Sequence, residues 1–361
     1  MPQQTAHTER PDHPLVSVVV VNHDRRELLL ECLDSLLTQD YPNLRIVVVD
    51  NASRDGSAQA VTGLGRPEIE VLAQSANLGF AAANNVAFAR LRADYVALLN
   101  NDARARPDWI SHMVAALEAH PQAGMAACKI VFHGSNVIDK AGHLIFPDGQ
   151  NRGRGTGEDD QGQYDQPGPA LFPDGCAALY RRRLLQEVDG FDGDFFAYAD
   201  DADLGLRARL MGWDCLYVPQ AVVEHRHSST SGRFSQRKIY WVERNRWWLA
   251  VKILPLPLLL ISPLLSAYRW GWNLLAALLG KGAAGAFRGE ASLLSLLGTV
   301  LRAAGDGLVG TPRMWSKRRR LRRVRRISDW ELLRLLWRWR ISARRLAFGE
   351  KEEGAGLNTR P

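Results

Sequence analysis

The sequence predicts an α/β fold: a doubly wound, mainly parallel sheet with helices on both faces, followed by a helical appendage that associates with a membrane. Three observations carry this. Apolar, β-branched runs recur at Leu15–Val21 (LVSVVVV), Leu44–Val49 (LRIVVV) and Tyr95–Leu99 (YVALL), and unbroken runs of this kind mark strands covered on both faces. Stretches with helical spacing lie between them, and alternating strands and helices build parallel sheets. From Trp241 the character changes to apolar runs and then to a basic, tryptophan-rich end.

The elements follow in order. Residues 1–14 are polar and read as a disordered lead. They lack the apolar core of a secretory signal, so the catalytic part is expected in the cytoplasm. Leu15–Val21 is the first strand, and Leu29, Cys32, Leu33 and Leu36 follow at helical spacing. Leu44–Val49 ends at Asp50. Glu68–Leu72 fits a third strand and Phe80–Leu91 a helix. Tyr95–Leu99 runs into Asn100-Asn101-Asp102. Asp108–His120 reads as a helix and Met125–Phe132 as a strand. Residues 133–168 are rich in Gly, Asp and Gln and are expected to form a long loop, mobile over an active site. Cys176–Tyr180 is apolar again, Arg182–Val188 is helical, and Leu204–Met211 is a helix stopped by Gly212. Leu216–Val218 and Ala221–Val223 are two short extended runs.

Ile253–Tyr268 is uncharged and apolar but holds three prolines. It falls short of the roughly 20 residues of a spanning helix, so an interfacial or re-entrant helix is expected. Leu274–Gly280 and Leu293–Leu301 are weaker apolar runs. The chain thus divides into a catalytic domain at 15–250, an apolar membrane-associated region at 251–312 and a basic amphipathic tail at 313–361.

The formal charge is +7, with fourteen Lys and Arg against two acidic residues between Arg313 and Leu346. The rest of the chain is therefore net acidic, and the basic character belongs to the tail. Leu332, Leu336, Trp339 and Leu346 fall on one helical face there, with Arg334, Arg338 and Arg345 opposite, as an interfacial helix requires. Lys317–Arg326 (KRRRLRRVRR) would attract anionic lipid. The apolar run just upstream favours lipid over nucleic acid as the partner of this charge. Four scattered cysteines (Cys32, Cys128, Cys176, Cys215) suggest neither a disulfide framework nor a metal motif, in keeping with a reducing compartment.

Open α/β sheets bind ligands at the carboxyl ends of their strands. Asp50 and Asn100-Asn101-Asp102 lie at such ends. Asp50 can accept hydrogen bonds from a base or ribose, or merely cap its turn. Asp102 suits a hard divalent cation bridging a diphosphate, and equally a strand-end turn. Asp200, Asp201 and Asp203 open a helix. They either favour its dipole or, by crowding, raise a carboxyl pKa toward that of a general base. His225 and His227 are metal-ligand candidates, or exposed side chains.

From about Val16 to Leu249 these segments, in this order, resemble glycosyltransferase family 2. They are VSVVVVNHDRRELLLECLDSLLTQDYPNLRIVVVDNASRDGS, ANLGFAAANN, YVALLNNDARARPDWI, FPDGCAALYRRRLLQEVDGFDGDFFAYADDADLGLRARLMGW and VVEHRHSSTSGRFSQRKIYWVERNRWW. The resemblance implies the GT-A fold and an inverting sugar transfer, closest to the rhamnosyltransferase-like bacterial branch that builds surface polysaccharides. It implies that Asp50 reads the nucleobase with Asn22 and Asn51 nearby. Asn77, Gly79, Phe80 and Asn84 would line the nucleotide-sugar pocket, with Asn100 and Asn101 beside it. Asp102 would be the metal-binding end of an Asp-X-Asp motif whose first carboxylate is Asn100 here. Asp201 would be the base, with Asp200 and Asp203 on the acceptor side. His225, or His227 in its place, would be the late histidine of the metal site. Arg244 and Asn245 match the segment that precedes a membrane-associated tail.

The implied reaction moves a sugar from a nucleotide-diphosphate donor to a lipid-linked or polysaccharide hydroxyl, with Mg²⁺ or Mn²⁺, at the cytoplasmic face of the membrane. A sugar nucleotidyltransferase is the first alternative, weakened because Asn22-His23-Asp24-Arg25 contains no glycine for a phosphate loop. A non-catalytic nucleotide-sugar binder is the second.

Overall fold

The structure, a computed structural model, describes residues 13–226, 235–282 and 293–349. The chain opens with β1 (Val16–Asn22), α1 (Arg26–Leu37), β2 (Leu44–Asp50), α2 (Ser57–Gly63), β3 (Ile69–Ala73), α3 (Gly79–Phe88) and β4 (Tyr95–Leu99). β3, β2, β1 and β4 lie side by side in that order, all parallel. Next come β5 (Ala103–Ala105), α4 (Trp109–Ala119) and β6 (Ala123–Phe132). They are followed by β7 (Ile138–Lys140), β8 (His143–Ile145), β9 (Asn151–Gly153), β10 (Gly168–Pro169), β11 (Ala177–Arg181), α5 (Arg182–Glu187), α6 (Asp200–Leu210) and β12 (Asp214–His225). β11 inserts antiparallel between β4 and β6, and β12 adds parallel to β6. The sheet order is β10-β12-β6-β11-β4-β1-β2-β3.

Side chains alternate across a strand, and β1 feeds two cores. Val16, Val18 and Val20 pack with Leu29 and Leu33 of α1 and Trp109 of α4. Val19 packs on the other face with Ala81 of α3, Leu184 of α5 and Leu204 of α6. This is the two-faced cover that the apolar runs predict.

Three expectations are corrected. Residues 133–168 are not one long loop: β7 pairs with β6, β8 with β9 and β10 with β12. These strands are two or three residues long, too short to carry a period, and turns at Gly142, Gly149, Gly155 and Gly157 have positive φ, where glycine is favoured. The two runs near 216 and 221 are one strand, β12, broken in register between Val218 and Val222. At the start of the chain, His13 and Pro14 are held rather than loose. Their carbonyls accept hydrogen bonds from Asn43 Nδ2 at 2.9 Å and Tyr41 Oη at 2.6 Å.

The remainder is helical: α7 (Gln236–Ile253), α8 (Leu256–Leu278), α9 (Leu293–Val324), α10 (Asp329–Arg338) and α11 (Ala343–Phe348). α9 runs across position 312 without a break, with Pro312 inside it. Among the described residues no helix is long and apolar enough to cross a membrane. The tail does not form a free amphipathic helix. Leu332, Leu336 and Trp339 are buried with Phe195, Leu206, Leu249 and Met314 in a core shared with the sheet domain. The basic run is also partly engaged by protein. Lys317 meets Asp192 and Asp194, Arg318 donates to the carbonyls of Val251 and Leu254, and Arg322 and Arg325 meet Asp329. An apolar stripe packs equally well on lipid or on protein, and the sequence pattern is the same for both.

Candidate active site

One cleft of about 1550 Å³ opens at the carboxyl ends of β1 and β4. β1 is the strand from which the sheet grows in both directions, and the crevice at such a reversal is the usual ligand site of an open sheet. Asn22 and Asp50 end β1 and β2 in register. Asn101 Nδ2 donates to Asn22 Oδ1 at 2.6 Å, which ties the end of β4 to that of β1.

Asn51, Asn77, Gly79 and Phe80 line this end of the cleft, with Asn100, Asn101 and Asp102 beside them. Asn51 is the organiser. Its Nδ2 donates to Asn77 Oδ1 at 2.9 Å, and its Oδ1 accepts from the Leu78 amide at 2.8 Å. Gly79 sits at φ +79°, and a Cβ there would stand 2.5 Å from the Phe196 carbonyl oxygen, so only glycine fits. Asn22, Asp50 and Asn84 do not line the cleft. Asn22 is a buried strut between Asn101 and Ser53. Asn84 bonds the Phe80 carbonyl within α3, an ordinary intrahelical use. Asp50 is buried, with Oδ2 accepting from the Ser53 amide at 3.2 Å, while Oδ1 has no hydrogen-bond partner among the described residues. Such an acceptor is costly unless something pairs with it.

Asp102 and His225 meet at the wall: His225 Nε2 lies 3.2 Å from Asp102 Oδ1, and His225 Nδ1 lies 2.7 Å from Asp139 Oδ2. A carboxylate behind one ring nitrogen orients the other toward a ligand. A carboxylate oxygen and an imidazole nitrogen on one wall form a donor pair that Mn²⁺ or Mg²⁺ accepts. His227 lies outside the described residues.

Asp200 and Asp201 line the same cleft at the start of α6. Asp201 Oδ1 accepts from the Ala202 amide at 2.8 Å and Oδ2 from the Gly175 amide at 3.2 Å. Burial raises the Asp201 carboxyl pKa and Asp174 raises it further, against the opposing effect of His143. Asp200 is raised well above its ordinary value, by burial first and Asp201 second. Asp203 is not on the acceptor side. It is fully buried, 2.7 Å from Arg207 Nε and 2.7 Å from Lys252 Nζ. Two residues on from Asp201, it is turned inward by α6 to hold α7.

Sequence reasoning missed the groups around Asp201. Asp174 Oδ2 lies 2.8 Å from His143 Nε2 and 3.1 Å from Lys140 Nζ, and His143 Nε2 lies 3.8 Å from Asp201 Oδ2. Ligand-type atoms of His143, Asp174 and Asp201 fall within 4.8 Å of one another, although the Lys140 ammonium already balances Asp174. His143 and Lys140 lie in the stretch expected to be loop, where no spacing signals them. Asn245 of α7 donates to the carbonyls of Ala197 and Tyr198, both at 2.8 Å. Tyr198 and Ala199 hold φ of 68° and 58°, an uncommon pair for non-glycine residues. Arg244 lies over Trp248 and bonds Asn245 Oδ1.

The Glycosyl transferase family 2 model matches residues 17–189. The chain is 29% identical over 238 residues to an uncharacterized protein of Sinorhizobium fredii, covering 61% of this chain and 25% of that one. It is 27% identical over 268 residues to the N-acetylglucosaminyl-diphospho-decaprenol L-rhamnosyltransferase of Mycobacterium tuberculosis, covering 65% and 87%. The match thus spans a quarter of the rhizobial protein and most of the mycobacterial one. In fold it is similar to the mannosyltransferase of Pyrobaculum calidifontis solved with GDP-Man and Mn²⁺, with a TM-score of 0.53, 22% identity and coverage of 90% and 88%. The doubly wound sheet, the cleft at its reversal point and these likenesses agree, and residues 17–189 of the chain match glycosyltransferase family 2.

Proposed function

We propose that this chain transfers a sugar, with rhamnose the first candidate, from a nucleotide-diphosphate donor to a hydroxyl of a lipid-linked or polysaccharide acceptor in cell-envelope glycan synthesis, inverting the anomeric centre. One observation carries the reading: Asp102 and Asp201 stand on the walls of a single cleft, one able to serve the diphosphate and the other the acceptor. The likeness to the mycobacterial rhamnosyltransferase supports the choice of sugar and of lipid-linked acceptor.

In this reading Asn51, Asn77, Asn100 and Asn101 orient the donor, and Asp50, outside the cleft lining, supports the turn after β2 through the Ser53 amide. Asp102 and His225 would hold Mg²⁺ or Mn²⁺, which when bound neutralises charge on the departing diphosphate. Asp139 keeps His225 Nε2 turned to that wall. Asp201 takes the proton of the acceptor hydroxyl as its oxygen attacks the anomeric carbon opposite the leaving group, so a single displacement inverts the centre. The Gly175 and Ala202 amides hold the carboxylate at that place.

The enzyme would work at the cytoplasmic face of a membrane. Leu260, Ile261, Leu264 and Tyr268 of α8 and Leu308 and Val309 of α9 are exposed, Leu264 at 75%. Exposed apolar residues at helical spacing suit an interfacial location. In this reading the lipid contact lies on α8, where the sequence already suggested an interfacial helix at Ile253–Tyr268, and on α9, but not on the Leu332–Leu336 face.

The deciding experiment presents the full chain with a panel of nucleotide sugars plus Mg²⁺ or Mn²⁺. One donor should release its nucleoside diphosphate, chelation should stop the release, and proton NMR taken early should show the inverted anomer. Release that continues at full rate after exhaustive chelation overturns the metal assignment.

A further inference from the structure

The cleft that holds Asp201 is lined as well by residues of quite different character. Tyr198, three residues before Asp201, is one of them. The Lys238 ammonium lies 5.5 Å from the centre of the Tyr198 ring, and the Arg237 guanidinium lies 4.5 Å from that of Trp241. Trp241 in turn stacks on Phe196 at 5.2 Å. One residue earlier, Gln236 Nε2 donates to Ser295 Oγ at 2.8 Å and joins the start of α7 to α9. From there Leu297 and Val300 of α9, with Leu274 of α8, line the same cleft. Leu297 and Leu274 are 55% and 53% exposed, so the outer lip is apolar and open to solvent. The cleft that holds Asp201 is thus also lined by aromatic rings, two cations and hydrocarbon.

We infer that this outer cleft binds the acceptor as an amphiphile. The sugar hydroxyl lies at Asp201, a phosphate or diphosphate at Arg237 and Lys238, and an alkyl chain along Leu274, Leu297 and Val300. The inference rests on the reading of Asp201 as the base and adds the acceptor's chemical class and its seat. A neutral oligosaccharide has no use for two adjacent cations and leaves the lip in water. A lipid phosphate satisfies both, since ammonium and guanidinium groups bind phosphate oxygens and a chain removes apolar surface from water.

The test uses the full chain in a chelating buffer, so that the metal-assisted donor site does not compete for diphosphate. Calorimetry measures farnesyl diphosphate, inorganic diphosphate and farnesol. Farnesyl diphosphate is expected to bind at least tenfold more tightly than either of the others. The double variant Arg237→Gln/Lys238→Gln and, separately, Leu297→Asn/Val300→Asn should each weaken it at least tenfold, with thermal melting showing that each variant is folded. Equal binding of inorganic diphosphate and farnesyl diphosphate overturns the alkyl seat. Equal binding of farnesol overturns the phosphate seat, and folded variants that bind like the parent overturn both. In a separate buffer with Mg²⁺ or Mn²⁺ and no chelator, slow hydrolysis of the sugar nucleotide without acceptor, compared between the parent and Asp201→Asn, tests the catalytic reading by itself. Hydrolysis lost in Asp201→Asn while the outer variants bind normally sinks this inference and leaves the transferase mechanism standing. Hydrolysis unchanged in Asp201→Asn, with farnesyl diphosphate binding lost in the outer variants, does the reverse.

Discussion

In the proposed mechanism Asp201 is the base, and its neighbours set its basicity. Burial and the Asp174 carboxylate raise its pKa, while two backbone amides and His143 favour its ionised form. Asp201→Asn keeps the shape and removes the base. Turnover should fall by about 10²–10⁴-fold with nucleotide-sugar binding nearly unchanged, as turnover and calorimetry on one preparation will show; near-normal turnover removes Asp201 from the mechanism. Asp174→Asn probes the environment. It deletes a negative charge near Asp201 and leaves Lys140 less balanced, and both changes favour the Asp201 carboxylate. The Asp201 pKa should therefore drop. Because the base works ionised, the acidic limb of the pH–rate profile should move to lower pH, and a limb that stays or moves upward contradicts the assignment. The sequence made Asp201 visible through three carboxylates in four residues. It could not separate Asp201, which faces the cleft, from Asp203, which faces Arg207 and Lys252, because that depends on how α6 is rotated against α7.

At the scale of elements, the start of α6 is a strained turn clamped from outside. Tyr198 and Ala199 occupy the left-handed region, at a cost of order 1–3 kcal/mol each, and Asn245 donates to two carbonyls of that turn. Asn245→Ala leaves those carbonyls short of donors. It should destabilise the chain by about 1–3 kcal/mol in chemical denaturation and lower turnover more than it raises the donor KM. A variant as stable as the parent would show that packing of α7 alone holds the turn. The parallel strands were legible in the sequence because β1, β2 and β4 are buried on both faces and read as unbroken apolar runs. β7, β8 and β9 were not, since three residues cannot display an alternation. With them went His143, Lys140 and Asp139, whose partners on β12 and beside β11 are brought near only by the sheet. Asn77 and Gly79 were found through the resemblance, and their place beside Asn51 depends on the turn that the Asn51 side chain organises.

At the scale of the whole molecule, the C-terminal helices complete the catalytic domain. Phe195, Leu206 and Leu210 from around α6 share a core with Leu249, Met314, Leu332 and Leu336. Lys252 and Lys317 converge on Asp192, and Arg318 closes on the end of α7. The sequence pattern of the tail, apolar on one side and basic on the other, is met by this protein surface. In the proposed membrane reading the lipid contact is the exposed apolar set on α8 and α9. Two kinds of change should therefore separate. Leu332→Ala opens a cavity in the shared core and should cost about 2–5 kcal/mol, lowering Tm without altering vesicle binding. Leu260→Ser/Leu264→Ser should leave Tm near that of the parent and reduce flotation with anionic vesicles. A chain ending at Ala250 loses the helices that cover Phe195 and Leu206, and should melt far lower than the full chain or fail to fold. If that truncated chain melts like the parent, the helices are an independent appendage. Flotation lost in Leu332→Ala and kept in the α8 variant would return the lipid contact to α10.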